Sequence, residues 1–486
     1  MFKNLNKDLI KKYAMALTII IVTIAAIWGA WRVNEDKTIP LEYPDKVYNQ
    51  AVARISAEES IYYKVIGSRT ITDNGITTEE NFTQYITYEK YGTNDFCGSV
   101  EENLQIGHQN IRSFEFFSDG TAYFTTQGAS YQSKMTADTY AGRYAPSVPV
   151  DSSLYAQITG FKNEKSTTIL FAQPSTTASW IAASGITLID ATATATLSSK
   201  GSLLSSNYCV TYSQNSATFS LNITVEILDT DPAAIQLPDS SIYTPIADIS
   251  VPKALERSCG YLTAIQDIHA VYSDTIFCEA FGDERTQTVT LSTSGDNGFS
   301  AEVGTTVSVS NSSKAGVIAT STKKESFKKN AYSYTMDGVT FENDASVGEA
   351  EMKSYCDNLL IGTILLPDYI GSVDVAETDN VITLSFQPTN EFAEILAQDA
   401  CLSLYQNATV LMEQALSSKT NEVTCYLTIN KTSGYPVESG FYYSGTYNIG
   451  GIPYQLSFKA DQTYDYIPPL IANEENADPI EYTDAN

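Results

Sequence analysis

Histidine is almost missing from this chain: 486 residues contain two, His108 and His269. A serine triad needs a histidine base, and neither residue lies near a G-x-S-x-G elbow. Both read as surface or packed side chains. Metal-ligand spacings such as H-x-x-x-H or C-x-x-C do not occur. Neither a phosphate-binding P-loop nor a G-x-G-x-x-G turn is present. Basic residues are also scarce, with 29 Lys and Arg against 57 Asp and Glu, a net charge of −28. A surface of that sign repels nucleic acid and anionic headgroups. The adjacent carboxylates Glu79-Glu80, Glu101-Glu102 and Glu474-Glu475 read as solvated loop charges, and Asn311-Ser-Ser-Lys314 as a polar turn. These absences lead to the expectation of a chain that is not an enzyme, with no catalytic residues, no metal, no cofactor and no nucleic-acid partner.

The seven cysteines are odd in number, so one at least is unpaired in a monomer. Most read as small buried apolar side chains. In an oxidising compartment Cys259–Cys278 or Cys401–Cys425 would be the pairs. What is abundant is aromatic and hydroxylated: 32 Tyr and 19 Phe within a 43% hydrophobic composition favour strands.

The N-terminus is patterned differently. Lys3, Lys7, Lys11 and Lys12 precede an uncharged run from Tyr13 to Trp31, and Arg32 closes it. The run approaches the roughly 20 residues that cross a bilayer. Lys11, Lys12, Tyr13, Trp28, Trp31 and Arg32 stand where interfacial anchors stand. The reading is an uncleaved transmembrane anchor over 13–31, with residues 1–12 cytoplasmic, so that the chain is a single-pass cell-membrane protein with its bulk extracellular. A cleaved leader fits less well, because the run is longer than an h-region and bulky Trp28 sits where a small residue is needed.

Residues 32–43 read as a stalk, 229–251 as a Pro- and Asp-rich linker, and 467–486 as an acidic disordered tail. The remaining blocks, 44–228 and 252–466, resemble each other. Each opens on a helical stripe: Val47, Ala51, Val52 and Ile55 after Pro44, and Leu255, Cys259, Leu262 and Ile265 after Pro252. Alternating runs follow, with Ile61, Tyr63 and Val65 in one block and Gln287, Val289 and Leu291 in the other. Ala122–Gly128 parallels Ala331–Gly338, and the segment ending at Tyr140 parallels that ending at Tyr355. Leu170–Pro174 parallels Leu384–Pro388, and Asn207–Tyr212 parallels Val423–Thr428. Thr424 to Tyr464 alternates, turns at Asn430–Gly434, alternates, and turns again at Gly450-Gly451, which is how antiparallel strands read. The expected fold class is α+β: an N-terminal transmembrane helix followed by two similar domains, each a curved antiparallel sheet with helices packed on one face.

The order of helix, strands, the Ala331-Tyr-Ser-Tyr-Thr-Met-Asp-Gly338 hairpin, helical insert and the Tyr426-Leu-Thr-Ile-Asn-Lys-Thr-Ser-Gly-Tyr-Pro436 hairpin resembles the bacterial lipoprotein-carrier (LolA/LolB-like) superfamily. The resemblance implies an open half-barrel whose concave face is closed by helices, and a gap that holds acyl chains. Under that reading Trp180, Ile181, Phe392, Ile395 and Leu396, on helical segments after each Gln-Pro, would touch an apolar ligand; otherwise they fill the core. Two functions follow from these expectations. One is a membrane-anchored, non-catalytic protein that binds a lipid or other amphiphile. The other is a cell-surface scaffold or sensor that acts through a cell-envelope protein partner without a ligand.

Overall fold

The computed structural model describes residues 38–466, apart from 91, 127, 144–149, 151, 153–154, 175–185, 216, 281, 296–297, 312–313, 329–330, 343–346, 405–418 and 450. The first half comprises β1 (Ile39–Pro40), α1 (Pro44–Ile55), β2 (Ser60–Asp73), β3 (Ile76–Glu89), β4 (Cys97–Ile106), β5 (Gln109–Ser118), β6 (Thr121–Thr126), β7 (Ala129–Lys134), α2 (Ala137–Gly142), β8 (Tyr155–Lys162), β9 (Ser166–Pro174), β10 (Ile186–Ser198), β11 (Leu203–Gln214) and β12 (Ala217–Asp229). The second comprises β13 (Thr244–Pro245), α3 (Ser250–Ala264), β14 (Ile268–Cys278), β15 (Asp283–Ser294), β16 (Ser300–Asn311), β17 (Lys314–Lys328), β18 (Ala331–Met336), β19 (Val339–Glu342), α4 (Glu349–Ile361), β20 (Ile370–Glu377), β21 (Val381–Pro388), α5 (Asn390–Leu404), β22 (Lys419–Asn430), β23 (Pro436–Ile449) and β24 (Ile452–Tyr466).

Two large sheets result. The first runs β1-β8-β9-β10-β11-β12-β2-β3-β4-β5-β6-β7-β13, and the second β19-β18-β17-β16-β15-β14-β24-β23-β22-β21-β20. Without β1 and β13, the first order is the second read from its other end. In each, five strands run outward from a first strand, five more follow a helix, and the last returns to pair with the first. The strands obey period two. In β10, Ala191, Ala193, Ala195 and Leu197 are buried while the threonines between them are not. Asn74-Gly75, Asp119-Gly120 and Asp337-Gly338 have positive φ at both residues and close two-residue hairpins. The expected turn at Asn430–Gly434 joins β22 to β23, its Asn430 carboxamide oxygen accepting from the Thr432 and Ser433 amides at 2.8 and 3.0 Å.

Several expectations need correction. The fold is mostly β, with 24 strands and five α-helices among the described residues, rather than α+β. The helices are few, and the hydrogen-bonded framework is the strands. The anchor expected over 13–31 lies outside the described residues, as do its interfacial residues Lys11, Lys12, Tyr13, Trp28, Trp31 and Arg32. Among the described residues no helix is long and apolar enough to cross a membrane. The single-pass membrane assignment, and the membrane as a partner, therefore find no support in the structure. One of the repeat matches slips by one strand: Asn207–Tyr212 lies in β11, whose counterpart is β23 and not β22, where Val423–Thr428 lies. Period-two alternation recurs in every strand, so neighbouring strands imitate one another in sequence. Cys259 and Cys278 do not pair, the Cys278 sulfur meeting the Tyr447 hydroxyl at 2.9 Å, and Cys425 is a buried free thiol.

The stretch 229–251 lies along the first sheet. Its strand β13 pairs in parallel with β7, and the Ile246 amide donates to the Gln132 carbonyl at 2.8 Å. That placement delivers α3 between the two sheets, starting two residues before Pro252. Nine of its fifteen residues are buried, which a helix covering one sheet would not need. Leu255, Cys259 and Leu262 share one core with Leu104 and Ile106 of the first sheet and with Leu384 and Phe441 of the second. A separate core, built on Tyr48 and Ala51 of α1 and Tyr140 of α2, fills the other end of the first sheet.

Candidate functional site

Between those two cores the inward face of the first sheet turns polar. Inward positions in β3 are even-numbered: Ile76, Thr78, Glu80 and Ile86 are buried. In β4 they are Val100, Glu102, Leu104 and Ile106, and in β5 Ile111, Ser113, Glu115 and Phe117. Three neighbouring strands thus each aim one glutamate inward, at 1%, 3% and 1% exposure for Glu80, Glu102 and Glu115. A buried carboxylate is tolerated only when paired, and the strand register supplies partners. Arg69 stands opposite Glu80 and Gln84 opposite Glu102. Arg69 Nε donates to Glu80 Oε2 at 2.7 Å, and Gln84 Nε2 donates to Glu102 Oε1 at 2.7 Å.

Helix α3 supplies the rest. Ser250, Lys253, Ala254, Arg257 and Tyr261 recur at three- and four-residue steps and share one helix face. The Tyr261 hydroxyl donates to Glu80 Oε1. Lys253 pairs with Glu102, and its Nζ lies 3.9 Å from Glu115 Oε1. Arg143, following α2, reaches Glu115 Oε2 at 3.5 Å. Arg257 Nε stands 3.9 Å from Glu80 Oε1. Burial opposes the charged form of Glu80, but Arg257 and Arg69, with hydrogen bonds from Arg69 and Tyr261, outweigh it and hold its carboxyl well below the usual range. For Glu102 burial is likewise overcome, chiefly by Lys253, and its pKa is lowered. Glu256 behaves oppositely: burial dominates and pushes it up to about 7, although Thr126 Oγ1 donates to it.

The turn after β22 forms the third wall. Ile429, Lys431, Thr432, Ser433 and Gly434 face α3 across a cavity of about 420 Å³, whose other lining includes Arg69, Gln84, Glu102 and Arg143. The tip of this hairpin is fixed to the first sheet. The Tyr435 hydroxyl donates to the Ile71 carbonyl at 3.1 Å and meets Thr78 Oγ1 at 2.8 Å. The cavity is therefore built from both halves of the chain.

The glutamates of this site were misread as loop charges. Glu79 and Glu101 do face outward, but adjacency along a strand sends one residue out and the next in, so Glu80 and Glu102 lie inside. The signal was their position on the same parity as Ile76 and Ile86, and as Val100 and Leu104. Of the residues expected to touch an apolar ligand, Trp180 and Ile181 lie outside the described residues. Leu396 is buried in the shared core. Ile395 is half-buried, and half-buried Phe392 packs against the Tyr369 ring at 5.3 Å. His269 Nδ1 meets Ser292 Oγ at 2.8 Å on the second sheet, and His108 lines a smaller cavity with Lys353 and Asp357. Among the described residues no group of His, Cys, Asp and Glu could hold a metal ion.

No family model and no curated protein matches the chain. Among solved structures, LprF from Mycobacterium bovis is 9% identical with a TM-score of 0.24, over 41% of this chain and 99% of that one. The ywiB protein from Bacillus subtilis is 9% identical with a TM-score of 0.14, over 35% and 94%. A putative AttH from Nitrosomonas europaea is 9% identical with a TM-score of 0.13, over 88% and 98%. Likenesses this distant do not bear on what the chain does.

Proposed function

We propose that this chain is a non-catalytic binding protein whose ligand occupies the polar cleft between the first sheet, α3 and the 429–434 turn. One observation carries the reading: a cavity of about 420 Å³ walled by three separate parts of the chain and lined by charged side chains. That volume lies within the range of small-molecule sites. A purely structural contact between two sheets would favour apolar filling, since buried ion pairs add little stability over packed hydrocarbon.

The acyl-chain alternative has less support. Leu396, with Ala393, Ala397 and Ala400 on the same helix, is packed into the shared core, as core filler would be. A role in protein contacts draws on one feature, the edge of the second sheet, where Met336, Val339 and Phe341 are exposed. Native mass spectrometry of the full chain, purified without ligand stripping, separates the three. A retained small polar molecule at one per chain supports the cleft. A retained lipid supports the acyl reading, and a bare mass with no uptake of added metabolites supports the contact reading.

A further inference from the structure

We infer that the cleft recognises an anion, with the ligand's carboxylate or phosphate group held by Arg257 of α3 and the Ser433 hydroxyl. The inference rests on the binding reading above and names the chemistry of its ligand. Four cations, Arg69, Arg143, Lys253 and Arg257, face three buried carboxylates, Glu80, Glu102 and Glu115. Glu80 takes its hydrogen bonds from other groups: one oxygen takes Arg69, at 2.6 and 2.7 Å, and the other takes the Tyr261 hydroxyl. Arg257 pairs with Glu80 only at 3.9 Å, and among the described residues its buried Nε donates no hydrogen bond. A guanidinium held at ion-pair rather than hydrogen-bond distance keeps a fork that suits a carboxylate or phosphate.

A second observation lies across the cavity. Ser433 lines it, is 3% exposed, and its hydroxyl has no partner among the described residues. A buried hydroxyl left without a partner is destabilising, and a ligand oxygen would supply one. Lys431 stands in the same wall, shared with Glu377. The fourth nearby acid, Glu256, bonds to Thr126 and does not line the cavity. In a chain with 57 acidic and 29 basic residues, five basic side chains line this one cavity. Elsewhere the surface repels anions, so recognition would be local to the cleft.

The test is isothermal titration of the full chain with inorganic phosphate, with acetate, and with glucose as a neutral control, at low and high NaCl. The expected result is one site for phosphate or acetate, weakened by salt. Arg257→Gln should weaken it by about tenfold or more, Arg257→Lys by less, and Ser433→Ala measurably, with far-UV circular dichroism unchanged. Preference between phosphate and acetate identifies the group. Binding of neither anion, or equal binding by folded Arg257→Gln, overturns the inference. If a neutral or lipid ligand nevertheless co-purifies, the binding reading stands without it.

Discussion

Replacing Gly260 with alanine probes how α3 sits between the sheets. An alanine Cβ there would lie 2.9 Å from Ile106 Cβ, 3.1 Å from its Cγ2 and 3.3 Å from its Cδ1. Carbon atoms prefer separations of about 3.5–4.0 Å. Overpacking of this kind costs about 1–3 kcal/mol, while the gain in helix propensity is about 1 kcal/mol. Gly260→Ala should therefore lose up to about 2 kcal/mol. Ile106 is fully buried, so Ile106→Ala should lose about 2–5 kcal/mol. In the double variant the Cγ2 and Cδ1 contacts are gone, and the new methyl fills part of the vacated space. The remaining Cβ contact can relax by a few tenths of an ångström. The double variant should be more stable than the sum of the single losses predicts, by at least about 1 kcal/mol. Urea unfolding of all four proteins, followed by circular dichroism, measures this. Additivity to within about 0.5 kcal/mol would mean that α3 does not rest on β4, and the shared core would be refuted.

Glu256 gives a pH signature. Its folded pKa is raised from 4.5 to about 7 by burial, so between those values the unfolded chain holds fewer protons than the folded one. Stability from this group is full below 4.5 and falls as pH rises to 7, by about 3 kcal/mol in all. Glu256→Gln removes the titration, so its stability relative to the parent should rise by up to that amount from pH 4 to pH 8; an unchanged difference contradicts the assignment. Tyr435→Phe deletes the hydroxyl that joins the hairpin tip to Ile71 and Thr78. It should cost about 1–3 kcal/mol in the same unfolding assay, and a cost below 0.5 kcal/mol would show that the tip is not held there.

The strands were the legible part of this fold. Alternation in Thr424–Tyr464, the turn at Asn430–Gly434 and the stripes of α1 and α3 all correspond to described elements. The pairing between repeats was legible at hairpins, where turn residues break the pattern: Ala122–Gly128 and Ala331–Gly338 are β6–β7 and β18–β19. It slipped at Asn207–Tyr212, in mid-strand, where one alternating run looks like the next. The site was harder to read because its residues conflict with the simple rule. Glu80 and Glu102 occupy core parity, and they become sensible only when strand register sets Arg69 and Gln84 opposite them. Register and the second face of α3 are long-range facts, set by packing between residues some 180 positions apart, such as Glu80 and Tyr261.

The measurement that bears most directly on the account is a crystal structure of the full chain purified with whatever it carries. An anionic molecule is expected between α3 and the 429–434 turn, within hydrogen-bond reach of Arg257 and Ser433. Acyl density elsewhere between helix and sheet, or an empty cleft whose walls have closed on each other, would contradict it.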